Sequence, residues 1–139
     1  MFDWKDFINL AYELIQEHNT NYDEALYRTI ISRAYYGIFK QVEDYLKLRV
    51  SLPNSDYRGR KLGSHERVIF FLQTHKNPKV KEFGDILEDL KRLRHKADYN
   101  AKENIGKDEA IRAVEDALDL SEKWNTTIIN LISENNTEE

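Results

Sequence analysis

Apolar residues recur at steps of three and four along most of this 139-residue chain, and that spacing is typical of amphipathic helices. The pattern divides into five segments, which predict helices at about 3–18, 23–48, 65–74, 80–99 and 108–133. The chain has five glycines and two prolines, whereas an all-β domain needs turn residues far more often. We therefore predict an all-α fold, an antiparallel four- to five-helix bundle that forms a single domain over 1–139.

The composition excludes several classes of protein. The chain contains no cysteine, so disulfide scaffolds, cysteine-based zinc sites and thiol nucleophiles are excluded. No stretch approaches the roughly 20 apolar residues of a membrane span. Asp3 and Asp6 stand where a signal peptide would be basic. These features predict a cytoplasmic protein with no membrane partner. Because no metal-binding or nucleotide-binding motif is present, we also predict no metal and no cofactor.

Charge is distributed unevenly along the chain. The formal net charge is -4, yet residues 58–96 contain eleven Lys or Arg and five acidic residues. This middle segment can be a solvated helix face, or it can bind the phosphates of a nucleic acid. In the second case Arg60 and Lys61, in the loop before the third helix, are candidate binding residues.

Arg94 is the most informative single position. It falls on the apolar row of the fourth helix, together with Leu87, Leu90 and Ala97, and a guanidinium is costly to bury unless it is paired. Asp98 lies one turn later and is the nearest candidate partner. Two interpretations are open. Arg94 and Asp98 form an intrahelical ion pair, or Asp98 orients an Arg94 that points into a cleft and binds phosphate.

The second and third helices contribute further candidates. Arg33 lies one helical turn from Tyr36 and Gly37. A glycine inside a helix costs about 1 kcal/mol relative to alanine, so Gly37 predicts the close approach of another helix. His65 follows Ser64, the expected helix N-cap, and the helix dipole there disfavours a protonated ring. A neutral His65 can act as a general base. The alternatives are a partner-facing or solvent-facing Arg33 and a purely structural His65.

Two segments resemble a known family. They are SRAYYGIFK, residues 32–40, and RHKADY, residues 94–99. Together with the helix order, they resemble the HEPN superfamily of small helical domains, in particular the branch with an R-x-x-A-D-Y motif. The resemblance implies a bundle that forms a homodimer around a cleft. It also implies a role in a toxin–antitoxin or phage-defence system, because many members are metal-independent ribonucleases and some are paired with a nucleotidyltransferase antitoxin.

The late-helix motif differs from that of the catalytic members. Those enzymes carry a histidine several residues after the arginine, whereas this chain has Asp98 and Tyr99 there and no histidine beyond His95. The resemblance therefore implies an RNA-directed protein that is either a variant ribonuclease or a binder of RNA or nucleotides. The alternative is a non-catalytic adaptor that dimerises or docks a nucleotidyltransferase. The candidate catalytic residues are Arg94, Asp98 and His65, and the candidate binding residues are Arg33, Tyr36, Tyr99, Arg60 and Lys61.

Overall fold

The computed structural model describes residues 1–16, 22–57 and 59–137. In chain order the helices are α1 (Lys5–Leu14), α2 (Asp23–Arg49), α3 (Ser64–Gln73), α4 (Pro78–Tyr99), α5 (Lys107–Lys123) and α6 (Ile129–Thr137). A π-helical turn, Trp124–Ile128, joins α5 to α6. The strands β1 (Asp56–Tyr57) and β2 (Arg60–Lys61) form a small antiparallel hairpin between α2 and α3. The predicted all-α bundle is confirmed.

Helix α2 is the central element of the bundle. Its apolar face is broad, and it packs against α1, α4 and α5. Helices α2 and α4 run antiparallel, because Arg28 contacts Ala97 whereas Tyr35, two turns later, contacts Arg94. This arrangement places the middle of α2 against the last turns of α4. None of the described helices combines the length and the apolarity needed to cross a membrane.

The predicted close approach at Gly37 is confirmed. A Cβ atom built on Gly37 would lie 2.5 Å from Cγ1 of Ile8 and 3.0 Å from the carbonyl oxygen of Trp4. Helix α1 therefore packs directly on the backbone of α2. The Trp4 indole fixes its position further, because Nε1 donates a hydrogen bond of 2.6 Å to Asp44 on α2.

Helix α3 begins at Ser64, one residue earlier than the predicted start at His65. Ser64 was the expected N-cap, but it is already helical, and Gly63 occupies the cap position with extended backbone and no side-chain hydrogen bond. The loop before this helix contains the β1–β2 hairpin, which the sequence pattern does not predict. The predicted end of the first helix at His18 lies outside the described residues, and helix α1 itself ends at Leu14.

The last predicted helix, 108–133, is not continuous. Trp124 opens a π-helical turn in which Trp124 and Ile128 are buried. The wider turn shifts the register of the apolar face, so that Ile132 is buried and Leu131 is only partly buried. The Trp124 ring packs against Tyr45 and Phe83, at ring-centroid distances of 5.6 and 5.5 Å.

Candidate functional site

Polar and aromatic side chains from three helices converge beside the end of α4. The middle of α2, the first turn of α3 and the last two turns of α4 meet there because α2 and α4 are antiparallel. We call this group the arginine site. Its members are Arg33, Tyr35, Tyr36, His65, Arg94, Asp98 and Tyr99. The structure thus brings together six of the eight sequence-derived candidates and adds Tyr35.

Arg94 is buried at the centre of the arginine site, with 7% of its surface exposed. Its Nη1 lies 3.5 Å from Oδ2 of Asp98, at the long end of the hydrogen-bonding range. Within the part of the chain that the structure describes, Arg94 Nε is the only buried side-chain nitrogen or oxygen without a hydrogen-bond partner. The guanidinium carbon lies 5.2 Å from the Tyr35 ring and 5.7 Å from the Tyr36 ring. The ion pair of the first interpretation is present, but it leaves the guanidinium incompletely satisfied. The phosphate-binding interpretation stays a prediction.

Arg33 is the second cation of the site. Its guanidinium lies 5.0 Å from the Phe7 ring and 5.3 Å from the Tyr36 ring, within range of a cation–π contact. Its Nη2 donates a hydrogen bond of 3.4 Å to the Ser32 hydroxyl. Among the described residues, no carboxylate forms an ion pair with Arg33. Since Arg94 also lies within 5.7 Å of the Tyr36 ring, the two arginines contact the same aromatic side chain.

Asp98 is the one acidic member of the arginine site. In addition to its contact with Arg94, it accepts a hydrogen bond of 3.3 Å from the Ser32 hydroxyl. The two arginines and this single carboxylate leave a net positive charge at the site. An anion that bound both guanidiniums would offset that charge.

His65 packs on the floor of the site. Its ring stacks on Phe39 at a centroid distance of 4.1 Å, and its Nδ1 shares a hydrogen bond of 2.6 Å with the Tyr35 hydroxyl. Burial is the main cause that lowers the pKa of His65 to about 4, and the charges of Arg94 and Lys91 act in the same direction. The ring is therefore neutral at neutral pH. The helix dipole at the start of α3 predicts a neutral ring as well, but burial is the principal cause.

The Tyr35 hydroxyl also stays protonated at neutral pH. Burial is the largest influence and raises the pKa of Tyr35, while the nearby charge of Arg94 acts in the opposite direction. Tyr35 is fully buried. The hydroxyl therefore positions His65 and does not supply a charge to the site.

Arg28 holds the end of α4 in place, a role that the sequence analysis missed. Its guanidinium donates hydrogen bonds to the carbonyl oxygens of Ala97 at 2.8 Å and Asn100 at 3.1 Å. It also pairs with Glu24 at 3.2 Å, and the same carboxylate accepts the Ile105 N–H. These contacts satisfy carbonyls at the helix end that would otherwise lack partners. The available signal was the i, i+4 spacing of Glu24 and Arg28, which by itself indicates only a surface pair.

Arg60 and Lys61 lie outside the arginine site. Both are exposed on β2, and Arg60 lines a separate groove between the hairpin, α3 and α4.

Tyr99 is the exposed aromatic member of the arginine site, with 68% of its surface exposed. Its ring lies 5.9 Å from the Arg94 guanidinium. Tyr99 thus borders Arg94 at the protein surface, while Arg94 itself is buried.

The fold and the site together define a helical bundle in which two arginines contact the same tyrosine ring, that of Tyr36, an arrangement suited to binding an oxyanion. In the described part of the chain, no group of three histidine, aspartate or glutamate side chains is placed to bind a metal ion. Comparison of the chain with family models, with curated proteins and with solved structures found no match.

Proposed function

We propose that this chain is a HEPN-like, RNA-directed protein of a toxin–antitoxin or defence system that binds RNA at the arginine site. A phosphodiester binds to Arg33 and Arg94, and a neighbouring base stacks on the exposed Tyr99 ring. One observation carries the proposal: both guanidiniums contact the Tyr36 ring, while a single carboxylate, Asp98, balances them.

Phosphate fits this arrangement for two reasons. A guanidinium presents a planar set of N–H donors that matches phosphate oxygens, and such charge-assisted hydrogen bonds are stronger than neutral ones. The aromatic rings also give a nucleic acid an additional contact, because any base can stack on an exposed aromatic face. A free inorganic anion would use only the first of these contacts.

The chemistry of the site supports binding more strongly than rapid cleavage. Metal-independent cleavage of RNA needs a base that removes the proton of the ribose 2′-hydroxyl. His65 is a weak base because burial keeps its pKa near 4, and its Nδ1 is engaged by Tyr35. Asp98 is engaged by both Arg94 and Ser32. Neither group is thus free to take up the proton of the 2′-hydroxyl.

Fluorescence anisotropy with a labelled RNA of about twelve nucleotides tests the proposal. We expect Arg94→Gln or Arg33→Gln to weaken binding by about tenfold or more, because a hydrogen bond to a charged group contributes about 1.5–3 kcal/mol. Arg112→Gln is the matched control, since Arg112 is an exposed arginine of α5 that pairs with Asp116 at 3.8 Å and lies outside the arginine site. Near-ultraviolet circular dichroism verifies that each variant is folded. Equal affinities for the wild type, Arg112→Gln and Arg94→Gln would contradict the proposal.

The same samples distinguish binding from cleavage. We expect RNA incubated with the protein and EDTA to remain intact during the binding measurement. Fragments with cyclic-phosphate ends that are absent with Arg94→Gln would show instead that the site is a ribonuclease.

Association through the Tyr99 end of the site is a second candidate function. Tyr99 and His95 form an exposed aromatic pair with ring centroids 4.9 Å apart, and exposed aromatic side chains are enriched at protein interfaces. We propose a homodimer, or a complex with a nucleotidyltransferase, through this pair. Sedimentation velocity should show a dimer for the wild type and a shift toward monomer for Tyr99→Ser. A wild type that stays monomeric at high concentration would exclude the homodimer.

A further inference from the structure

A polar groove lies next to the arginine site, between the β1–β2 hairpin and the helices α3 and α4. Its volume is about 250 Å³, and Arg60, Glu66, Gln73, Glu88 and Lys91 line its polar walls. Two of these side chains are cations from different elements, since Arg60 belongs to the hairpin and Lys91 to α4. The same walls carry two carboxylates, Glu66 and Glu88, so whether the groove favours an anion depends on which of these charges are already paired.

These two cations are available to a ligand. Among the residues that the structure describes, neither Arg60 nor Lys91 forms an ion pair. The Glu88 carboxylate is already engaged, because it pairs with Arg92 at 3.0 Å and accepts a hydrogen bond from Gln73. Glu66 is therefore the one acidic group of the groove without a described partner.

Lys91 connects the groove to the arginine site. It precedes Arg94 by three residues on α4, and side chains at that spacing are neighbours on one helix face. Its charge also acts on His65, which stacks inside the arginine site. An anion bound between Lys91 and Arg60 would thus lie beside an anion bound by Arg94.

We propose that the groove between Arg60 and Lys91 is a second phosphate-binding subsite, which binds the phosphodiester next to the one held by Arg33 and Arg94. This inference rests on the proposed RNA binding and specifies the length of RNA that the protein recognises. The ligand is an oligonucleotide that extends from Tyr99 across Arg94 toward the hairpin, and a mononucleotide fills only part of the site.

Isothermal titration of two probes tests this extension, namely uridine monophosphate and hexauridylate. Lys91→Gln and Arg60→Gln should each weaken the binding of hexauridylate by about fivefold, because each removes one contact to phosphate. Neither change should alter the affinity for uridine monophosphate. Lys81→Gln is the matched control, since Lys81 is an exposed lysine of α4 and does not line the groove.

The outcomes separate the two proposals. If hexauridylate binds in an Arg94-dependent manner but Lys91→Gln and Arg60→Gln leave its affinity unchanged, the second subsite is refuted and the proposed function stands. If hexauridylate does not bind the wild type, the proposed function itself is refuted. Tripolyphosphate that binds as tightly as hexauridylate would also overturn the assignment of the groove to an RNA strand.

Discussion

The half-buried, neutral ring of His65 should make the stability of the protein depend on pH. Its pKa is lowered from an ordinary 6.5 to about 4 in the folded state. Between these two values the unfolded chain binds more protons than the folded protein, so the free energy of unfolding falls as the pH falls. A tenfold difference in proton affinity between the two states corresponds to about 1.4 kcal/mol. Because the ring is only partly buried and solvent screens part of this effect, we expect a loss of about 1 kcal/mol between about pH 7 and pH 5.

Urea unfolding at these two pH values, followed by circular dichroism, measures the loss. His65→Phe keeps the stacking on Phe39 but removes the titrating group, so its stability should fall less on acidification than that of the wild type. His95→Phe is the control, because His95 is exposed on α4 and is not a member of the arginine site; this change should leave the pH dependence of stability close to that of the wild type. A His65→Phe variant with the same pH dependence as the wild type would refute the assignment of a neutral, half-buried His65.

Two further predictions concern the packing that positions the site. Gly37→Ala should destabilise the protein by about 1–3 kcal/mol in thermal unfolding, because its Cβ would overlap Ile8. Gly106→Ala meets no atom within 4 Å but replaces the N-cap glycine of α5 with a residue less suited to that position, so it should destabilise the protein by less than Gly37→Ala does, by about 1 kcal/mol at most. Equal effects of the two changes would contradict the close packing. Arg28→Met should accelerate amide hydrogen exchange from Ala97 to Ile105, because the carbonyl oxygens of Ala97 and Asn100 lose their hydrogen-bond donor. Unchanged exchange would show that Arg28 does not hold the end of α4.

Helical periodicity accounts for what the sequence predicted well. The row on α4 that includes Leu87, Leu90, Arg94 and Ala97 is buried as predicted, because a period of 3.6 residues fixes which side chains share a face. The contact at Gly37 was predictable for a similar reason, since a glycine in an otherwise strong helix indicates a nearby backbone. Both inferences use only local spacing.

The remaining features depend on the register between elements, which local spacing does not encode. Both Arg33 and Arg94 contact Tyr36 because α2 and α4 are antiparallel with one specific offset. The hydrogen bond between Tyr35 and His65 likewise requires the start of α3 to return to the middle of α2. Arg28 resembled a surface residue in the sequence because its acceptors are carbonyl oxygens, which every residue has.

The side-chain NMR signals of the arginines test the central claim most directly, because no substitution is needed. The Nε–Hε resonances of Arg33, Arg94 and Arg112 can be followed while hexauridylate is added to the isotopically labelled wild-type protein. If a phosphodiester binds between Arg33 and Arg94, their resonances should shift together and saturate at the same RNA concentration, while that of Arg112 should stay in place. Resonances of Arg33 and Arg94 that do not move when RNA binds, or that move no more than that of Arg112, would contradict the account.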